Sequence, residues 1–289
     1  IKTENGIFNI VNTTISNTNG NGIYAAGSNG ARLTLTNSVI QASSSTGILA
    51  DGEASIEVAS SQILASAASG IETVAGSKGA IEVTDSTIDG LLANGNPAAN
   101  GAGIRMNSTA PVSLTNSVVS NFGTGVDINA DSDLTMVLGE IRDIVGDGIN
   151  IASTTGSSGS AVLTGVRIAD IVGTGISTTG VPLGGTLRGG RGGAVSLINS
   201  RLTNIGEIGI VGSNIGTPGT GDLILLQGTS IDTAANGGIR VTDSNLRVEG
   251  SSLQNSRIFD SGPFGIESVA ASTVLIDSTQ ISGATVGIR

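Results

Sequence analysis

An eight-residue apolar pattern that recurs along the chain constrains its fold more than any other feature. Each copy has an apolar residue, any residue, a second apolar residue, four mostly polar or small residues, and then Ile, Val or Leu. Eleven copies occur, with starts 22 to 34 residues apart. Because apolar residues alternate within each copy, the pattern predicts strands and not helices. The copies begin at Phe8, Leu33, Ile56, Ile81, Val112, Leu134, Ala161, Val195, Ile224, Leu246 and Val274.

A second apolar anchor, Gly followed by Ile or Val, comes after each copy. The Gly stands six or seven positions beyond the end of nine copies, as at Gly148-Ile149. Insertions move it to fifteen positions at Gly103 and to twelve at Gly265, counted from Leu253. Each repeat therefore predicts three short strands, and no single repeat can bury its apolar side. Stacked repeats predict a parallel β-solenoid of about 11 coils, with three short strands per coil.

The fifth position of each copy is predicted to be a turn. It is Asn, Asp, Ser or Gly in ten copies, and Leu138 is the exception. Asn and Gly adopt the left-handed backbone at little cost. We therefore expect a stacked column of left-handed corners along the solenoid.

The "NSxI…GI" cadence, as in Asn37-Ser38-Val39-Ile40 and Gly47-Ile48, resembles the repeats of right-handed parallel β-helix proteins with the pectate-lyase-like fold. That superfamily includes pectate lyases, polygalacturonases, alginate epimerases, phage tailspikes and autotransporter adhesin passengers. The resemblance covers nearly the whole chain and is closest in character to the adhesin passengers and bacterial surface β-helix proteins. It implies an all-β, single-stranded, right-handed parallel β-helix. We expect a single domain over residues 1–289, within a longer protein.

The composition excludes several classes of function. Cys and His are both absent, so the chain has no disulfide, no thiol nucleophile, no Ser-His-Asp triad and no His-bound zinc. The net charge of −10 argues against nucleic acid as a partner. No apolar run approaches the roughly 20 residues of a transmembrane helix.

Two carboxylates are weak candidates for catalysis. Asp143 and Asp170 each stand two residues beyond the end of a copy, in a column that Asn121 and Asn204 extend. Carboxylates in adjacent coils fit the separation of about 5–9 Å that glycosidases use. The alternative, which we favour, is a turn-capping ladder, because Asn replaces Asp at both ends of the column.

Alternating oxygen-bearing residues form a weak candidate for calcium binding. They resemble the start of a calcium loop, in which such side chains converge on one ion. The later Gly and distant Glu of an EF-hand are missing, so a simple acidic turn is favoured and no cofactor is expected. The residues are Asp127, Asn129, Asp131 and Asp133.

Insertions in three consecutive coils are predicted to form one raised patch, because equivalent corners of adjacent coils stack. They cover residues 150–160, 177–193 and 211–221. Arg188 and Arg191 in the middle insertion are candidates for binding a carboxylate or sulfate. The alternative is that they solubilise a Gly-rich loop.

Two further insertions, at residues 89–102 and 254–264, are expected at a different corner. The second contains Phe259 and Phe264, half of the four Phe residues. They are candidates for stacking on a sugar ring. The favoured alternative is that they pack onto the coil as a lid.

These observations favour a non-catalytic structural or adhesive rod of a secreted or cell-surface bacterial protein, which could stack end to end. The expected partners are a host or cell-surface glycan or protein, or neighbouring copies of the chain. The alternative is a β-helix that binds or acts on polysaccharide, as a lyase, epimerase or tailspike-like hydrolase. Against catalysis stands the near absence of the Trp and Tyr on which sugar clefts stack, since Tyr24 is the single Tyr.

Overall fold

The computed structural model describes residues 1–28, 31–152, 159–180, 194–215, 224–250 and 256–289. Within these ranges the chain forms strands and no helix. The strands build three sheets of twelve, eleven and eleven strands, here named sheets A, B and C, and every pairing between described strands is parallel. The predicted fold class, an all-β parallel β-helix with three strands per coil, is confirmed.

The strands follow one another in the fixed order sheet A, sheet B, sheet C. The first half of the chain contains β1 (Lys2–Glu4), β2 (Ile7–Val11), β3 (Thr14–Ser16), β4 (Ile23–Gly27), β5 (Arg32–Thr36), β6 (Val39–Gln41), β7 (Ile48–Gly52), β8 (Ser55–Ala59), β9 (Gln62–Leu64), β10 (Ile71–Thr73), β11 (Ile81–Thr84), β12 (Thr87–Asp89), β13 (Ala98–Met106), β14 (Val112–Thr115), β15 (Val118–Ser120), β16 (Phe122–Ile128), β17 (Asp133–Val137) and β18 (Glu140–Ile144). The second half contains β19 (Ile149–Ala152), β20 (Ser160–Thr164), β21 (Arg167–Ile171), β22 (Ile176–Thr179), β23 (Val195–Ile198), β24 (Arg201–Ile205), β25 (Ile208–Ser213), β26 (Ile224–Gln227), β27 (Ser230–Ala234), β28 (Gly237–Thr242), β29 (Asn245–Glu249), β30 (Ser256–Phe259), β31 (Phe264–Val269), β32 (Thr273–Asp277), β33 (Thr279–Ser282) and β34 (Val286–Ile288).

The core is a stack of aliphatic columns inside the three sheets. Because neighbouring coils pair in register, like residues stack on like, as Ile104, Val126 and Ile149 do on sheet A. All three are fully buried. Such columns suit aliphatic side chains, which explains why the chain contains so few aromatic residues.

The corner between sheets B and C has the predicted left-handed backbone. Asn12, Asn37 and Asn116 have φ values of 51°, 48° and 47°, and Leu138 has the same conformation at 53°. The prediction of a left-handed column is therefore confirmed, including at its one exception.

A ladder of buried hydroxyls follows this corner and explains the Ser of the "NS" pair. The Ser61 hydroxyl accepts a hydrogen bond from the Ser38 backbone N–H at 3.0 Å and donates one to the Ala59 carbonyl at 2.7 Å. In the next coil, the Ser86 hydroxyl accepts from the Ser61 N–H at 3.1 Å. Each hydroxyl thus satisfies a backbone donor of the preceding coil that would otherwise be buried without a partner.

The Gly of each Gly-Ile pair is required by close packing between coils. A Cβ atom at Gly148 would lie 2.5 Å from the carbonyl oxygen of Gly175 and 3.0 Å from Cγ2 of Ile168. A Cβ atom at Gly125 would likewise lie 2.4 Å from the Gly148 carbonyl oxygen. Sheets A and C therefore meet at this corner only because the column lacks side chains.

The tenth repeat is arranged differently from the prediction. Its sheet C residue is Ile258, which pairs with Ile231 and Ile281, whereas Leu253 lies outside the described residues. Ile258 precedes Gly265 by the usual seven positions, so the extra residues come before the sheet C strand and not after it. The predicted insertion at residues 254–264 was therefore wrong. The short "SSL" segment matches the sequence pattern at the end of a copy. Ile258, however, is the residue that pairs with both neighbouring coils.

Candidate functional site

The outer face of sheet A carries a row of polar side chains from successive coils. Glu72 on β10, Arg105 on β13, Asp127 on β16 and Asn150 on β19 occupy one register position. Parallel strands in register lie about 4.8 Å apart, so each of these side chains lies next to its neighbours in the row. All four are half-buried.

Asp127 is the centre of this row. Its Oδ1 accepts a hydrogen bond from Asn150 Nδ2 at 3.0 Å, and its Oδ2 accepts one from Asn129 Nδ2 at 3.0 Å. Arg105 Nε lies 3.4 Å from Oδ2, and the side chains of Arg105 and Asp127 are 25% and 15% exposed. The carboxylate is therefore fixed in position while it stays accessible from outside.

A second row extends the network toward the amino-terminal coils. Asn129 Nδ2 also donates to Asn107 Oδ1 at 3.3 Å, and Asn107 Nδ2 donates to Glu72 Oε1 at 3.3 Å. The hydroxyl of Thr46 donates to Glu72 Oε2 at 3.3 Å. Connected side chains thus run from the coil of Thr46 to that of Asn150.

Asp147 lies beside this network, in the corner just before β19. Its Oδ1 accepts the backbone N–H of Thr174 at 2.9 Å, and the Thr174 hydroxyl donates to Glu207 Oε2 at 3.2 Å. Burial raises the pKa of Asp147, and the charges of Glu207 and Asp127 add to the rise, against the Thr174 N–H, which lowers it. A carboxyl group with a raised pKa keeps its proton to higher pH, which is a property of general acids.

The candidate calcium ligands are distributed over two sheets. Asp127 and Asn129 join the sheet A network, whereas Asp133 begins β17 on sheet B and accepts a hydrogen bond from the Ser160 hydroxyl. Asp131 is exposed in the corner between them. Among the described residues there is no group of three or more His, Cys, Asp or Glu side chains arranged to hold a metal ion.

The two candidate catalytic carboxylates lie within strands of sheet C, Asp143 in β18 and Asp170 in β21, at a position that the pairing of these strands skips. Asp143 and Asp170 both have left-handed backbone with φ of 56°, as do Asn121 and Asn204 at 60° and 54°. Asp143 forms an ion pair with Arg142. Asp170 accepts a hydrogen bond from Asn204 Nδ2 at 2.9 Å and lies 3.8 Å from Arg167 Nη2. The predicted column of left-handed Asp and Asn residues is therefore present, whereas capping of backbone N–H groups by these two carboxylates stays a prediction.

The three predicted loop insertions connect the same two sheets in successive coils. The strands β19, β22 and β25 precede them on sheet A, and β20, β23 and β26 follow them on sheet B. Each predicted insertion begins at a residue that belongs to the preceding strand of sheet A. The segment between the two strands is therefore shorter than the predicted insertion. Arg188 and Arg191 lie outside the described residues.

The two Phe candidates have different environments. Phe264 is 1% exposed, and its ring covers Gly237, where a Cβ atom would lie 2.2 Å from Cζ. The ring is therefore not accessible to a sugar, so the stacking candidate is wrong for Phe264 and the favoured alternative, packing onto the coil, agrees with its burial. Phe259 is half-buried on the outer face of sheet C, where the Arg257 guanidinium lies 5.5 Å from its ring centroid.

The sheet A network was missed by the sequence analysis. Glu72 and Arg105 occupy outward positions that the repeat leaves variable, so no motif marks them. One signal was present, since Asp127 and Asn129 alternate along one strand and must share a face. They were interpreted as a possible metal loop instead.

The chain belongs to the right-handed β-helix family, whose profile, described as a right-handed β-helix region, matches residues 1–181. This match also establishes the predicted handedness. No curated protein sequence matches the chain significantly. No helix among the described residues is long and apolar enough to span a membrane.

Two solved structures share the fold at low sequence identity. The catalytic unit of the GH87 α-1,3-glucanase from Streptomyces thermodiastaticus strain HF3-3 aligns with a TM-score of 0.58 and 11% identity, over 99% of this chain and 58% of that one. The PL6 family alginate lyase AlyGC aligns with a TM-score of 0.51 and 14% identity, over 98% of this chain and 40% of that one. This chain therefore spans about half the length of these neighbours, and the likeness concerns the fold alone.

Proposed function

We propose that this protein is an extracellular adhesive rod of a bacterial surface or secreted protein, and that it binds a carbohydrate on the outer face of sheet A. The observation that carries the proposal is the Asp127 network. Carboxylate, amide and guanidinium groups are the partners that sugar hydroxyls need. Here they are already held by hydrogen bonds, so binding costs less side-chain entropy.

The geometry of the two carboxylates on sheet C supports a non-catalytic rod. Asp143 and Asp170 occupy left-handed backbone positions that Asn fills in adjoining coils, and both contact an Arg of their own strand. A carboxylate that is engaged in an ion pair with a neighbouring Arg is poorly placed to attack a substrate. An extracellular location fits a chain without Cys and with few charges, and the expected partner is a cell-surface or host glycan.

A second candidate function is cleavage of a polysaccharide, which Asp147 favours. Burial and the nearby charges of Glu207 and Asp127 raise the pKa of Asp147, and a carboxyl group with a raised pKa beside other carboxyl groups is an arrangement that acid catalysis uses. The two fold neighbours are an α-1,3-glucanase and an alginate lyase, so the fold is compatible with such chemistry in those proteins.

The test is a glycan array probed with the 289-residue chain, followed by cleavage assays on each glycan that binds. Binding without cleavage supports the adhesive rod. Cleavage that Asp147→Asn abolishes, while binding persists, supports the second candidate. Absence of binding to any glycan contradicts both.

A further inference from the structure

The outer face of sheet B contains a region without charge. Four successive residues on each of the five strands β14, β17, β20, β23 and β26 point alternately inward and outward. Each strand therefore contributes two outward side chains. None of these ten side chains, from Ser113 to Gln227, is charged, in a chain with 23 acidic and 13 basic residues. We name this set the neutral strip. Its edge is marked by Asp133, which bonds to Ser160.

The neutral strip is also partly apolar. Val137, Val162, Ile198 and Leu225 lie on it with their side chains directed outward, and Val162 is 41% exposed. Covering such side chains with a second protein surface is favourable. The flat face of a sheet packs well against another sheet face, about 10 Å away.

The charges that flank the neutral strip identify its partner. One outward column runs Glu82, Ser113, Thr135, Val162, Ser196, Leu225, Arg247. Glu82 therefore lies three strands before Val162, and Arg247 lies three strands after it. A two-fold axis along β20 brings Glu82 of one copy opposite Arg247 of a second copy. The same symmetry brings Arg247 of the first copy opposite Glu82 of the second, so the interface contains two such pairs.

We propose that two copies of this chain associate face to face through the neutral strip, with their long axes antiparallel. A parallel arrangement would place the two Glu82 residues opposite each other and the two Arg247 residues opposite each other. Both contacts between like charges are repulsive. Arg247 also forms an ion pair with Glu249 of its own chain. Its five N–H donors allow it to keep this contact and to reach the carboxylate of the second copy.

The size of the contact sets its strength. Seven strands from β11 to β29 span about 30 Å, and the two outward columns are narrow. The buried area is thus below the roughly 800 Å² per partner of a standard interface. The dimer is therefore weak and depends on concentration. The residues of the sheet A network are not part of the neutral strip.

Sedimentation equilibrium of the 289-residue chain over a wide concentration range tests the proposal. We expect a reversible monomer–dimer equilibrium that Val162→Glu weakens by more than about tenfold, because it buries an unpaired carboxylate in each subunit. The matched control is Val172→Glu, directly after β21 and outside the neutral strip, where Val172 is 65% exposed. This control leaves the equilibrium unchanged.

A charge exchange tests the antiparallel arrangement separately. Glu82→Arg alone weakens the dimer, and the double variant with Arg247→Glu restores it. A monomer at every concentration, an equal effect of Val162→Glu and Val172→Glu, or no recovery in the double variant would overturn the proposal. Association through the ends of the rod would appear as a dimer or polymer that Val162→Glu does not affect, which is also a negative result.

Discussion

Asn150 donates a hydrogen bond from Nδ2 to Oδ1 of Asp127 at 3.0 Å, across two neighbouring coils of sheet A. The contact exists because β16 and β19 pair in register, so residue 127 and residue 150 share one position. The β-helix thus converts residues that are distant in sequence into a continuous polar surface. The following predictions test this surface and the packing that supports it.

Asp147→Asn is expected to stabilise the protein at neutral pH. The folded pKa of Asp147 is raised above its ordinary 3.8, so the folded state binds more protons between the two values and stability falls as pH rises through them. Asn removes this cost and still accepts the Thr174 N–H. The expected rise in Tm is on the order of 1 °C, and it disappears below pH 3.8. Thermal melts that show a lower Tm for the variant at neutral pH would refute this assignment.

Glu267→Gln is expected to have the opposite effect. Burial acts to raise the pKa of Glu267, but hydrogen bonds and charges from Arg240 and Arg289 outweigh it and lower the pKa below its ordinary 4.5. Its stabilising contribution is therefore present above that value and is lost as pH falls through the folded pKa. Melts should show a lower Tm for the variant at neutral pH, and a difference that shrinks in acid. A constant difference at all pH values would show that the ion pairs are not its source.

Gly148→Ala is expected to destabilise the rod by about 1–3 kcal/mol, since the new methyl group meets the Gly175 carbonyl oxygen at 2.5 Å and rigid backbone must shift. Gly287→Ala is the matched control in the same column, because a Cβ atom at Gly287 would meet no other atom within 4 Å. Urea unfolding should separate the two variants clearly. Equal stability would mean that the coils have room for a side chain at this corner.

Leu138→Asn is expected to stabilise the protein by about 1 kcal/mol. Left-handed backbone costs a Leu about 1–2 kcal/mol, whereas Asn tolerates it. The side chain of Leu138 is 65% exposed, so little packing is lost. Asn116→Leu in the preceding coil is the reciprocal variant and should be destabilised by a similar amount. Urea unfolding with no gain for Leu138→Asn would show that the exposed Leu makes a contact worth as much as the strain.

The fold followed from the sequence because each part of the repeat has one physical role. The two alternating residues and the single Ile fill the core, Asn37 accepts the left-handed corner and Gly47 allows close packing. The position of Ile258 was missed because Leu253 fits the same short pattern, although the usual seven-residue spacing to Gly265 favours Ile258 and the strand pairing establishes it. The Asp127 network was missed because outward positions are free to vary, so only register reveals which of them are neighbours.

The most direct test of the proposed carbohydrate site is calorimetric titration of the best-binding glycan into wild-type protein and two variants. Asp127→Ala removes the acceptor shared by Asn129, Asn150 and Arg105, and it should weaken binding by about tenfold or more, since losing a charged partner costs at least about 1.4 kcal/mol. Asp143→Asn changes a carboxylate on sheet C, outside the network, and should bind as wild type does. Equal affinity of all three proteins would contradict a binding site on sheet A.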